Sequence, residues 1–391
     1  MTTHSILSPS ASERWLVCAD SVRANTGTSD QPNAYADEGT TAHALLELCM
    51  RMSSDPLEFI GVDVAKLGFP VTEEMAGAVQ HAIDYILQWQ AANKKGEVLL
   101  EERIHWGKYL NLVEDVSSGT SDAVLLSRYS AVIMDYKHGA GVVVSPERNT
   151  QLMLYALGVC ARETALATFT LCIVQPRARH IEGPVREWRI ERKDLQEWAR
   201  RTVAPAARLV LDGDRSRKAG EHCRWCAAQA TCRALKELVM ETAHMDFEDA
   251  GDVNELTPAE LGEVLKVLPV IEAWTKAVHA RALSMLLDDA GAIEGWKLVH
   301  GRQPPRQWTN EDEVLEMCKK AKLSIDAYAP RELRSPTQLE GLIPFKGKAG
   351  KADFRALFGA YITRKAAPPH IAKASDPREP YKPEGDFDAV A

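Results

Sequence analysis

Two carboxylates and an amine within one short segment carry the first chemical signal of this chain: Asp122, Asp135 and Lys137. The residues between them read as a hairpin, with apolar runs at 123–126 and 131–134 separated by Arg128–Ser130. If the chain reverses tightly at Arg128–Tyr129, antiparallel partners sum to 257 and Asp122 stands opposite Asp135. Directly opposed side chains share a face of the sheet. The two-residue strand period puts Lys137 on the same face as Asp135. Two neighbouring carboxylates repel unless something compensates them, and a divalent cation does so. Mg²⁺ and Mn²⁺ take such oxygen ligands. A bound ion of this kind polarises a phosphodiester and lowers the pKa of a water. Lys137 could orient that water or stabilise the developing charge. A solvated hairpin carrying ordinary surface charges explains the same short pattern.

The surroundings add weight. His43 and Glu47 are four apart on an expected helix, so they share one face. His43 offers a further metal ligand, Glu47 a contact to it, and Gly39 a close turn nearby. Gln151 and Tyr155 lie on one face of the helix expected after the hairpin. An amide and a phenol there can hold water or phosphate, or stack on a base. The other reading of each is packing or surface, since Leu152, Leu154 and Leu157 make that helix amphipathic. A second cluster comes from Cys223, Cys226 and Cys232, a C-x₂-C-x₅-C spacing. Three thiolates so close suit zinc or an iron–sulfur centre, with a fourth ligand from elsewhere. Cys49, Cys160, Cys172 and Cys318 read as packing residues. Trp225, between two of the proposed ligands, reads as a shield over the centre.

Taken in order, GTTAH at 39–43, GTSD at 119–122, DYK at 135–137 and QLMLY at 151–155 resemble the PD-(D/E)XK nuclease superfamily. The likeness is to its RecB-like and Cas4-like branch and spans roughly residues 8–235. It implies that His43, Asp122 and Asp135, with the Tyr136 carbonyl, bind catalytic metal. Lys137 would be the motif lysine, and Gln151 and Tyr155 the helix-borne pair. The departure is Asp135, where many relatives of this type carry Glu. That branch also places one cysteine before the nuclease core and three after it. Cys18 with Cys223, Cys226 and Cys232 matches the arrangement, which implies a [4Fe–4S] cluster, with zinc as the alternative. The layout further resembles an uncharacterised phage or prophage family related to these nucleases.

These residues need a frame. Helices are expected at 72–93, 149–161, 194–211, 233–244 and 259–289, and strands at 98–106, 122–126, 131–136 and 169–174. Ser10 and Glu13 read as a capping box before a short helix, and residues 24–37 as a loop. The order favours an α/β fold, a mixed central β-sheet flanked by helices. The expected division is a core at 1–245, an α+β accessory region at 246–365 and an extended tail at 366–391. Strand-like 296–301 and a helix near 310–320 would build the accessory region. The Lys346–Gly350 run lacks a Walker pattern, so no ATP site is assigned.

The net charge of -8 does not advertise nucleic-acid binding. Residues 201–236 nevertheless hold eight Lys/Arg against three acids, a local charge of +5. Arg215, Arg217, Lys218, Arg224 and Arg233 are its candidates for phosphate contact. No run of eighteen apolar residues appears, and 1–12 does not read as a secretory signal, so a cytoplasmic protein is expected. The functional expectation is a Mg²⁺- or Mn²⁺-dependent DNA exonuclease or end-processing hydrolase acting on DNA ends or single-stranded regions, with a phage recombination or replication protein as partner. The alternative is a catalytically silent nuclease fold that binds nucleic acid or scaffolds a complex.

Overall fold

The computed structural model describes residues 5–26, 34–244 and 257–289, with a few isolated positions beyond. Its elements run α1 (Ser12–Trp15), α2 (Ser21–Asn25), α3 (Ala34–Met52), α4 (Glu73–Ala92), β1 (Glu97–His105), β2 (Ser118–Leu126), β3 (Ser130–Tyr136) and α5 (Thr150–Arg162). There follow β4 (Thr168–Val174), β5 (Val185–Glu191), α6 (Arg192–Trp198), α7 (Ala204–Leu211), α8 (Arg233–His244) and α9 (Pro258–Asp288). The five strands form one sheet in sequence order. Pairing is antiparallel except between β3 and β4. A parallel pair needs a long crossover, and α5 supplies it. Asn149 starts α5 by accepting a hydrogen bond from the Leu152 N–H at 3.1 Å, an Asn cap satisfying a donor the helix leaves free.

Strand alternation sorts the core into two layers. Val124, Ile133, Phe169, Leu171 and Ile173 face α5, with Trp15 and Trp106 alongside. Ala123, Leu125, Val132, Met134, Tyr136, Cys172 and Val174 face α3 and α4. The fold is therefore a mixed sheet between two helical layers, the expected α/β class. A smaller third cluster joins Cys223 to Leu235 and Val239 of α8 and Val270 of α9.

Several local expectations change. Ser10 sits in a 3-10 turn, Pro9–Ala11, and the first helix has no side-chain cap. Ser12 instead binds the Thr150 hydroxyl at 2.6 Å. The loop expected at 24–37 is shortened by α2 and by α3, which starts at Ala34. Gly39 therefore lies inside a helix and makes no close turn. The helix expected at 194–211 is interrupted by a π-helical stretch, Ala199–Val203. β5 was not expected. Cys49, Cys160 and Cys172 are buried, as packing residues should be. The described residues through Ile293 belong to one compact unit. The strand at 296–301, the helix at 310–320, Cys318, the Lys346–Gly350 run and the tail fall almost wholly outside the described residues.

One contact in this frame requires glycine. A Cβ on Gly158 of α5 would lie 2.2 Å from Ile104 Cγ2 and 3.0 Å from the Trp106 backbone. The backbone cannot yield as a side-chain tip can. Gly158→Ala should therefore cost about 1–3 kcal/mol by overpacking, read as a lower urea midpoint at unchanged slope.

Candidate metal centre and cysteine cavity

Strand register builds the polar centre. β2 and β3 pair from Leu126↔Ala131 to Ala123↔Met134, the register expected from the sequence. The turn closes where Ser127 N–H donates to the Ser130 carbonyl at 2.9 Å. Beyond Ala123 the two strands part, with Asp122 and Asp135 on either side of the opening. There the Tyr136 N–H donates to Asp122 Oδ2 at 2.7 Å, a carboxylate standing in for a strand partner. Asp122 Oδ1 meets His43 Nδ1 of α3 at 3.3 Å. Asp135 Oδ1 accepts from Gln151 Nε2 of α5 at 3.1 Å. Asp135 Oδ2 lies 2.8 Å from Lys137 Nζ but is buried and receives no well-formed hydrogen bond. Lys137 and His43 remain about a third exposed, at 31% and 32%, so the centre is open on that side.

Tyr155 is buried below this centre. It also explains the glycine of the GTSD stretch. A Cβ on Gly119 would lie 2.8 Å from Pro9 Cδ and 3.1 Å from Tyr155 Cε1. The Tyr136 ring packs edge-on to His43, with centroids 5.6 Å apart. Its hydroxyl pairs with His138 Nδ1 at 2.9 Å, and His138 Nε2 with Glu38 at 3.3 Å. Arg177 holds Glu38 at 2.9 Å from the far side. The α3 layer is thereby tied to the end of β3.

Electrostatics match the geometry. Burial alone would lower the His43 pKa, but Asp122 and then Asp135 outweigh it and lift the imidazole to about 9. Burial raises Asp122, yet the His43 charge and hydrogen bond and the Tyr136 N–H bring it below an ordinary aspartate. Asp135 is raised, by burial first and by Asp122, against the pull of Lys137. Burial likewise opposes the charge of Lys137, and Asp135 restores it, leaving the amine above its ordinary value. The centre thus carries its positive charge on His43 and Lys137.

Glu47, expected to serve His43, is taken by Arg51 at 2.7 Å. Its place is filled by Glu101 of β1, which sequence reading missed. One donor atom from each of His43, Glu101 and Asp122 lies within 4.8 Å of the others. Leu100 pairs with Ala123 and Glu102 with Ser121, which leaves Glu101 opposite Asp122. Glu101 takes a left-handed φ of 49°, uncommon for a residue with a side chain. Burial, with Asp122 beside it, raises its carboxyl to about 7.

In the same unit, Cys18, Cys223, Cys226 and Cys232 line one cavity, together with Asp20, Arg217 and His222. Two distant chain segments meet there. Asp20 is buried and binds Arg217 at 2.6 Å and Arg23 at 2.6 Å. Asn25 accepts from the Ala227 N–H at 2.8 Å, and its amide points at Cys226 Sγ, 3.4 Å away. Arg14 reaches the Trp225 carbonyl at 3.0 Å. Burial raises the thiols of Cys18 and Cys223. Trp225 does not shield the cavity. It is 59% exposed, with the Arg224 guanidinium 5.2 Å over its ring. Of the basic residues expected to meet phosphate, Arg217 is spent on Asp20. No described helix is long and apolar enough to cross a membrane.

Fold and centre together define an α/β protein with two acids, a lysine, a histidine and a glutamine converging at one end of its sheet. The chain belongs to the family described as protein of unknown function (DUF2800), whose model matches residues 4–379. A solved structure, described as "Crystal structure of SSO0001", aligns over 56% of this chain and 94% of that one at 12% identity, with a TM-score of 0.24.

Proposed function

We propose that this protein is a metal-dependent nuclease of the PD-(D/E)XK type, hydrolysing phosphodiester bonds in DNA, with DNA ends or single-stranded regions as substrate and phage replication or recombination as setting. The observation that carries the reading is the convergence of Asp122, Asp135, Lys137, His43 and Gln151 at the opening between β2 and β3. The donor set fits a hard divalent cation, because it offers carboxylate oxygens and an imidazole. Asp135, with its Oδ2 2.8 Å from the Lys137 ammonium, adds a second carboxylate beside Asp122.

Asp122, Asp135 and His43, with the Tyr136 carbonyl, would hold Mg²⁺ or Mn²⁺. The ion would supply Lewis acidity and a water of lowered pKa. The rest falls to the chain. The Tyr136 N–H fixes Asp122, and Gln151 fixes Asp135. Lys137 presents the nearest exposed positive charge, able to donate to the attacking water or to a phosphoryl oxygen. Gly119 leaves room for Tyr155 beneath. Full-length protein incubated with Mg²⁺ or Mn²⁺ should cleave at least one of single-stranded, duplex, flap and gapped DNA. Folded protein that binds these DNAs and cleaves none would point to the silent, binding role.

For the cysteine cavity the proposal is a [4Fe–4S] cluster. The reading is supported by Cys18, Cys223, Cys226 and Cys232 lining one cavity. The cluster's role would be to fasten α1 and α2 to the segment before α8. Anaerobically purified protein should contain about four iron and four sulfide per chain. One zinc and no sulfide would assign the cavity to zinc.

A further inference from the structure

Two acids and a histidine suffice for the motif, yet the structure brings a third acid to the same place. We propose that Glu101 is a direct ligand of the divalent cation, completing with His43 and Asp122 a cradle on the β1 side of Asp122. The assignment rests on the metal-dependent reading above.

Several observations favour it. The three donor atoms lie within 4.8 Å of one another. Ligands on opposite sides of one Mg²⁺ stand about 4.2 Å apart, so the trio closes on an ion with small movements. Strand order places Glu101 and Asp135 on opposite sides of Asp122, since β2 lies between β1 and β3. The neighbouring acids are otherwise engaged: Glu47 with Arg51, and Glu102 with Arg162 at 2.6 Å. Glu101 has no hydrogen bond or ion pair among the described residues. The left-handed backbone of Glu101 fits as well. A residue with a side chain holds that conformation at some cost, and such residues gather at functional sites.

A carboxylate that merely raises the local negative potential would act through its charge. A ligand must place an oxygen. The two are separated by titrating Mn²⁺ into the full chain, followed by calorimetry and by the resonance of bound Mn²⁺. Wild type is compared with Glu101→Gln, Glu101→Asp and Glu102→Gln. Glu101→Gln should weaken Mn²⁺ by about 10-fold or more, as loss of even an outer-sphere partner does. Glu101→Asp keeps the charge but withdraws the oxygen, and should weaken it too. Glu102→Gln should bind as wild type, and circular dichroism should show each variant folded. Wild-type affinity in Glu101→Gln, or in Glu101→Asp alone, overturns direct ligation while leaving the nuclease reading standing. Wild type that takes up no Mn²⁺ overturns the metal-dependent reading and this assignment with it.

Discussion

Lys137→Ala should lower the rate of metal-dependent DNA cleavage by about 10³-fold while leaving the cation bound. A charge-stabilising donor at a reacting centre is worth about 10²–10³ in turnover, and this ammonium is the nearest one to the acid pair, 2.8 Å from Asp135. It also opposes a cation electrostatically. Removing it leaves Asp122, Asp135 and His43 in place and takes away one positive charge, so Mn²⁺ should bind at least as tightly. Asp135→Ala should behave differently, losing both cleavage and tight metal binding, because it removes the ligand itself. The split between the two variants is the informative result. If Lys137→Ala cleaved at the wild-type rate, the lysine would be a structural partner of Asp135 and nothing more. If it lost metal together with activity, its role would be to hold the acid in position.

Trp15→Ala should destabilise the protein by about 3–5 kcal/mol, the usual cost of emptying a buried tryptophan site. Trp15 is 1% exposed and stacks on Trp106 with centroids 5.7 Å apart. Its indole N–H donates to the Ser8 carbonyl at 3.0 Å. The side chain is the apolar anchor of α1, and α1 leads directly into Cys18 and Asp20. Loss of the anchor should lower the urea midpoint. It should also loosen the N-terminal segment from the cysteine cavity, so Cys18 should react faster with a thiol reagent in protein stripped of any cluster. An unchanged midpoint would mean that the Asp20–Arg217 pair and its neighbours hold this segment without the stack.

The parts legible in the sequence are those fixed by short-range pattern. The hairpin register followed from the two-residue alternation once the reversal was set at Arg128–Tyr129, which put Asp122 opposite Asp135, and the strands pair in that register. The helix carrying Gln151 and Tyr155 announced itself by its apolar spacing. The pairing of Cys18 with the three later cysteines came from a family pattern, and the cavity they share accords with it. Glu101 was illegible for a physical reason. It sits in a strand with other acids, and β1 reaches β2 only after two 3-10 turns, Trp106–Leu110 and Glu114–Val116. No tight turn fixes that register, and no glycine marks the left-handed backbone. β5 was missed because its exposed positions carry Arg and Glu, leaving only Arg186 and Ile190 buried. Glu47 misled because helical spacing shows which residues share a face, and here Arg51 lay on that face too.

The most direct measurement is cleavage of end-labelled DNA by the full-length protein in Mg²⁺ or Mn²⁺, with EDTA and with Asp135→Ala as controls. Cleavage that requires the metal and disappears in Asp135→Ala is the predicted result. Cleavage that persists in Asp135→Ala, or none from folded, metal-loaded wild type, would contradict the assignment of phosphodiester hydrolysis to this centre.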